Sequence, residues 1–292
     1  MNSPRRQRSE APPQSYLVPT LSAVPSTLAI PLAARAWGGR RFPALDVHDG
    51  HAADALALLG DDGRRWLDDE VTVFGVLVRT ALFREQARAF FARHPQGLGV
   101  SLGCGLADYF QWLDNGRNHW IDADLPEVVA LRSRLALPEC RRRRCRPVDL
   151  TDCDWWDRLG LASGPGAPPV LLICEGVLMY LQPEQVQALL RCFGERAPEG
   201  SQLVLDAMSW LAPGHAELNP SVRQTGAQFT WGLSRLAELT EPHPRLRLGW
   251  QYSVMEDYGF PYAQLGPLFR WFWGVPLYAL YRIEAREAGL PH

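Results

Sequence analysis

The stretch GVSLGCGL, residues 99–106, carries an apolar run into two glycines one residue apart, Gly103 and Gly105. Glycines there let the backbone turn tightly and approach a ligand with no Cβ in the way, although glycines also end strands for purely structural reasons. About twenty residues on, HWIDAD reads as a second strand ending in carboxylates. Side chains alternate along a strand, so Asp122 and Asp124 share a face, and only the one at the tip, Asp124, is placed to accept from a ribose diol, with Leu125 beside it. A third run ends in Val148-Asp149-Leu150, a carboxylate and an apolar side chain suited to an adenine amino group and ring. Capping of a helix near Pro126 and a simple turn are the competing explanations of Asp124 and Asp149.

Which nucleoside such a cradle holds turns on residue 108. A pyrophosphate fingerprint wants a third glycine, G-x-G-x-x-G, and position 108 is Asp108, a carboxylate that would repel a diphosphate. A ligand with no phosphate tolerates it, so a sulfonium methyl donor is favoured over NAD. An NAD(P)-linked reductase would also want a Tyr-x-x-x-Lys acid/base pair, which is missing. Methyl transfer is an in-line displacement, and an ionised carboxylate acceptor needs alignment and exclusion of water more than a base. A phenol or alcohol would need one, and His215, His243 and Tyr180 are the candidates, against ordinary readings as surface histidines and a packed aromatic.

The elements that must position these residues follow from periodicity. Residues 1–45 lack it and read as a flexible extension that becomes ordered near Trp37; residues 46–95 carry apolar side chains at helical spacing, notably Val71, Phe74, Val78, Phe90 and Phe91, and read as a helical cap. From 96 to 292, β-rich runs (GLGVSLGCG, HWIDAD, CRPVDL, PVLLICEG, SQLVLDAM, LYALYRIE) alternate with helical segments such as 127–135 and 183–193. This predicts a doubly wound α/β domain with a mostly parallel sheet. Residues 211–245 interrupt the alternation after the fifth strand and read as a lid over the carboxyl ends of the strands, where open α/β sheets bind ligands. The aromatic cluster Phe269, Trp271, Phe272 and Trp273, with Tyr278 and Tyr281, is expected to divide between core and acceptor pocket.

With 47% hydrophobic and 21% charged residues over 292 positions, the chain should fold around one sizeable core. A net charge of −2 provides no global field towards nucleic acid or anionic lipid, and the run Arg141 to Arg144 reads as a solvated loop before a strand. No apolar stretch is long enough to span a bilayer. The six cysteines, Cys104, Cys140, Cys145, Cys153, Cys174 and Cys192, show no metal-ligand spacing, and free thiols fit a cytoplasmic protein.

The glycine loop, DNGRNHWIDADLPEVVALRSRL and CEGVLMYLQPEQV together resemble the leucine carboxyl methyltransferase family, including its bacterial polyketide O-methyltransferase branch, over most of residues 70–210. The resemblance implies a seven-stranded class I methyltransferase sheet with added helices, S-adenosyl-L-methionine as cofactor, and O-methylation of a small-molecule carboxylate or hydroxyl. It implies Gly103 and Gly105 along the donor, Asp124 on the ribose, Asp149 and Leu150 at the adenine, Glu175 beside the methionine moiety, and Arg79 on the donor's carboxylate, a role its bidentate fork suits. The family loop continues Gly-Leu-Asp-Thr-Arg, whereas this chain has Gly105-Leu106-Ala107-Asp108-Tyr109, with tyrosine in the arginine's place. A catalytically silent protein using the same pocket to organise an interface is the remaining alternative.

Overall fold

The computed structural model describes residues 25–138 and 140–287. Its apolar runs form the strands β1 (Leu98–Leu102), β2 (His119–Asp124), β3 (Arg143–Pro147), β4 (Val170–Cys174), β5 (Gln202–Met208), β6 (Leu246–Ser253) and β7 (Tyr278–Ala285). They make one seven-stranded sheet in the order β3-β2-β1-β4-β5-β7-β6. The first five strands pair in parallel, and β7 runs antiparallel to both β5 and β6. Strand order reverses between β1 and β4, so a crevice opens outside their carboxyl ends.

The helices are α1 (Ala29–Trp37), α2 (Ala52–Leu58), α3 (Glu70–Arg93), α4 (Phe110–Leu113), α5 (Pro126–Arg132), α6 (Trp155–Arg158), α7 (Pro183–Arg196), α8 (Pro220–Arg223) and α9 (Tyr262–Trp273). Alternation along the strands sends Leu171 and Ile173 to one face, where Phe83, Phe90 and Phe91 of α3 pack, and Leu172 and Cys174 to the other, against Leu189, Leu190 and Phe193 of α7. Strands covered on both faces read as continuous apolar runs, as VLLIC does. Asp69 caps α3 by accepting from the Thr72 N–H, and Gln182 and Gln185 form a capping box ahead of α7. The architecture is the doubly wound one expected.

Several elements differ from expectation. Residues 25–45 are not an extension: α1, short and alanine-rich, buries Ile30, Leu32, Ala33 and Arg35 and packs on α2 and α3; residues 1–24 lie outside the described residues. The third strand begins at Arg143, two residues before the expected CRPVDL, so Arg143 and Arg144 belong to an exposed edge strand whose charge suits an edge, and Asp149 and Leu150 fall in the loop beyond it. The other edge strand, β6, was missed because a register shift between Leu248 and Trp250 interrupts its alternation. The expected lid splits: residues 211–222 lean over the crevice, whereas Trp231, Leu233 and Leu239 pack into the core beneath.

Candidate active site

Beyond β1 the chain turns through Gly103 and Gly105 with φ of 65° and 53°, a left-handed backbone that favours glycine. A Cβ on Gly103 would overlap the Val177 side chain, and one on Gly105 would lie 2.7 Å from Leu28. The loop is held from both sides. The Gly105 N–H donates to Asp124 Oδ2 and the Leu125 N–H to Asp124 Oδ1, each at 2.7 Å. Behind it, buried Arg132 pairs with Asp122 at 2.8 Å and donates to the carbonyls of Gly105 and Ala107. Asp122 is thus a structural partner and Asp124 the carboxylate at the strand tip. Asp124 does not cap α5, whose N-cap is Leu125.

Helices α1 and α3, strands β4, β5 and β7 and the glycine loop itself converge on a buried ionic cluster. Arg79, on α3, donates from Nε to Glu175 Oε1 at 2.8 Å and from Nη1 to the Tyr278 hydroxyl at 3.2 Å and Asp206 Oδ2 at 3.4 Å. Tyr278 donates to Asp206 Oδ2 at 2.6 Å, and the Gly176 N–H to Asp206 Oδ1 at 2.7 Å. The Tyr109 hydroxyl donates to Glu175 Oε2 at 2.5 Å, while Arg35 of α1 lies 3.6 Å from Glu175 and 3.0 Å from Asp49. Burial alone would raise the Glu175 carboxyl, but Arg79, Arg35 and the Tyr109 hydroxyl outweigh it and hold it below the usual carboxylate range. Asp206 goes the other way: its burial is not offset by Arg79, Tyr278 and the Gly176 amide, and its pKa rises. Burial works against the charge of Arg79, yet Tyr278, Glu175 and Asp206 keep it firmly protonated.

The loop and cluster form one end of a cavity of about 650 Å³. Face residues Thr72, Gly75, Val76 and Arg79 of α3 line it at helical spacing, with Ile30, Met179, Phe229 and Met255 continuing an apolar wall and Leu211, His215 and Leu218 overhanging from the lid. Asp69 accepts from the Ser221 N–H and hydroxyl, and Asn219 donates to the Thr72 hydroxyl at 3.0 Å, fastening that half of the lid to the start of α3.

Of the residues singled out from sequence, Arg79, Gly103, Gly105, Glu175, Tyr180 and His215 line the cavity. Asp124 and Leu125 abut its glycine loop. Asp149 and Leu150 stand farther along, outside the lining, and Asp149 accepts from the Thr151 N–H and hydroxyl in a turn. His243 packs against Gly194, away from the site. Asp108 lies outside the cavity lining and pairs with Arg143 at 3.1 Å. Phe269 is core, whereas Trp271 is 76% and Phe272 66% exposed. Tyr278, of the aromatic cluster, also lines the cavity, through its hydroxyl in the ionic cluster and not as an apolar wall, while Tyr281 is core. Tyr109 stands where the family has arginine; Arg35 and Asp206 are additions that carry no local motif and meet the others only through the fold. Among the described residues no cluster of metal-ligating side chains occurs, and no helix is long and apolar enough to cross a membrane.

The model for leucine carboxyl methyltransferases matches residues 26–194, more than half of the chain. The chain belongs to the leucine carboxyl methyltransferase family. The tetracenomycin polyketide synthesis O-methyltransferase TcmP of Streptomyces glaucescens is 30% identical over 253 residues, 86% of this chain and 90% of TcmP. The S-adenosyl-L-methionine-dependent methyltransferase dpfgK of Gibberella zeae is 29% identical over 268 residues, covering 85% and 86% of the two chains. A solved structure from Thermobifida fusca, assigned as a methyltransferase, shares the fold with a TM-score of 0.55 at 17% identity, covering 84% of this chain and 98% of its own. The protein is an S-adenosyl-L-methionine-dependent methyltransferase, and the reductase alternative is not supported. Family membership agrees with the shape of the site: a glycine cradle that a Cβ would fill lies beside a buried cluster of guanidiniums and carboxylates.

Proposed function

We propose that this family member methylates an oxygen, carboxylate or hydroxyl, of a small, largely apolar acceptor, a secondary metabolite of the polyketide kind. The observation that carries the reading is the continuity of the cavity: its charged end meets an apolar wall within one space, so a polar donor and an apolar acceptor can lie end to end. The name of TcmP, a polyketide-synthesis O-methyltransferase, supports the acceptor class.

The donor is assigned to the glycine loop, with Asp124 and Leu125 at the ribose, Asp149 and Leu150 towards the adenine, and Arg79 and Glu175 at the carboxylate and ammonium. When bound, it supplies an electrophilic methyl group on sulfur. Residues 211–222 and α1 exclude water from the transfer path.

A carboxylate acceptor needs no base. For a hydroxyl acceptor His215 is the better candidate of the two at the cavity. Burial pushes the Tyr180 hydroxyl up, and it is committed to Thr27, so it stays protonated at neutral pH. The free cysteines support a cytoplasmic setting for the reaction. The test is turnover of isotopically methyl-labelled donor against three acceptor panels: phenolic polycycles, aromatic carboxylic acids, and a peptide ending in leucine carboxylate. Label transfer to the peptide alone would refute the small-molecule reading; label on nitrogen or carbon would refute O-methylation.

A further inference from the structure

Arg79 has two anchors at opposite edges of its guanidinium. Nε is taken by Glu175, and Nη1 faces the Tyr278 hydroxyl and Asp206. Among the described residues Nη2 has no acceptor in hydrogen-bond reach, and the side chain borders the cavity. Gly176, with φ of 69°, lies against that group: a Cβ there would come within 3.2 Å of Nη2. A single bond at Nε leaves the guanidinium plane free to tilt about it; a second bond at Nη1 fixes the plane and hence where Nη2 points.

The second anchor is itself fixed. Asp206, 0% exposed at the end of β5, has one oxygen held by the Gly176 N–H and the other by the Tyr278 hydroxyl. In the antiparallel register Asp206 sits opposite Leu280, so Tyr278, two residues back on β7, is its diagonal neighbour on the same face. Tyr278 spends its proton on Asp206, leaving its lone pairs to accept from Arg79, 3.2 Å away. Neither Asp206 nor the Tyr278 hydroxyl is assigned to donor or acceptor, and a carboxylate taken wholly out of water needs a compensating role.

We propose that Asp206 and Tyr278 are a positioning pair that aims the Arg79 guanidinium at the carboxylate of the donor, so that they set selectivity for the amino-acid end of the donor without touching it. The inference rests on the donor placement given above. Truncating the hydroxyl leaves the ring packed and the sheet paired but frees one edge of the guanidinium.

The test is calorimetry on the full chain with two ligands: S-adenosylhomocysteine, and 5′-methylthioadenosine, which keeps the adenosine thioether and lacks the amino acid. Tyr278→Phe and Asp206→Asn should each weaken S-adenosylhomocysteine by roughly tenfold, the worth of one lost charge-assisted bond, and leave methylthioadenosine unchanged. In turnover the donor KM should rise by a similar factor, with kcat at saturating donor within about twofold of wild type. Equal weakening of both ligands, or none, would overturn the proposal, since a merely structural pair does not distinguish them. Arg79→Gln serves as the control for the placement itself. If it leaves the preference for S-adenosylhomocysteine intact, the donor reading fails and takes this inference with it; if it abolishes the preference while the other two variants do not, only the inference fails.

Discussion

Replacing Glu175 by Gln removes one charge from the centre of the cluster while keeping its shape. Glu175 receives Arg79 at 2.8 Å and Tyr109 at 2.5 Å, with Arg35 at 3.6 Å, and its side chain is 10% exposed. The amide can still accept one of these bonds, but its NH2 faces a donor, and two buried guanidiniums lose their shared counter-ion. Breaking a buried pair from one side costs about 3–5 kcal/mol, which for a chain of this size corresponds to a fall in Tm of roughly 6–20 °C. The pH dependence fixes the sign. The folded carboxyl lies below the ordinary glutamate value of 4.5, so its contribution is fully present above that value and is lost as pH falls through the folded one. Denaturant unfolding of wild type and Glu175→Gln should therefore show a wide gap at pH 7 that closes progressively below about pH 4. A gap under about 1 kcal/mol at pH 7 would refute the argument that this carboxylate holds the guanidiniums in place, as would a gap that widens on acidification.

Gly103→Ala places a Cβ on a left-handed residue and against Val177, and should cost about 1–3 kcal/mol in stability together with most of the donor affinity. The double variant with Val177→Ala should recover part of that loss, and full recovery in denaturant unfolding would show that φ was not a constraint. Asp124→Ala should weaken S-adenosylhomocysteine by roughly 10–100-fold in calorimetry, because a carboxylate acceptor is lost and the Gly105 amide is freed; near-normal affinity would remove the ribose assignment. With a thiol reagent on the native protein, exposed Cys153 should react first, and half-buried Cys192, its pKa pushed up to about 11 by burial, slowly. Buried Cys104 and Cys174 should be labelled only after denaturation; native labelling of Cys104 would mean that the glycine loop opens.

What could be read from the sequence divides by how local its physical cause is. The glycine loop and strand-tip Asp124 were legible because the chemistry fixes residue types over about twenty positions of one βαβ unit, and the buried strands because two covered faces leave only apolar residues. Edge strands are harder: β3, RRCRP, starts two residues ahead of the CRPVDL run that reads as a strand, and β6, broken by a bulge, has no such run, since an edge with one exposed side is under pressure to be charged or irregular. Asp108 shows a subtler failure, because its spacing was read correctly and its direction was not. A carboxylate next to a nucleotide loop could face the ligand or, as here, turn to Arg143 on the neighbouring edge strand, and nothing within the motif distinguishes the two. The cluster was hidden for the opposite reason. Arg35, Arg79, Tyr109, Glu175, Asp206 and Tyr278 come from α1, α3, the glycine loop, the ends of β4 and β5 and the start of β7, each alone in an apolar setting. A lone polar residue in such a run ordinarily means a local cap or turn; six of them meeting in one place are a consequence of strand order, which brings the ends of β1, β4, β5 and β7 side by side. A departure from a family motif inside such a cluster then has meaning only after assembly: Tyr109 takes up one Glu175 oxygen while Arg35, from a helix the sequence hid, stands near the other.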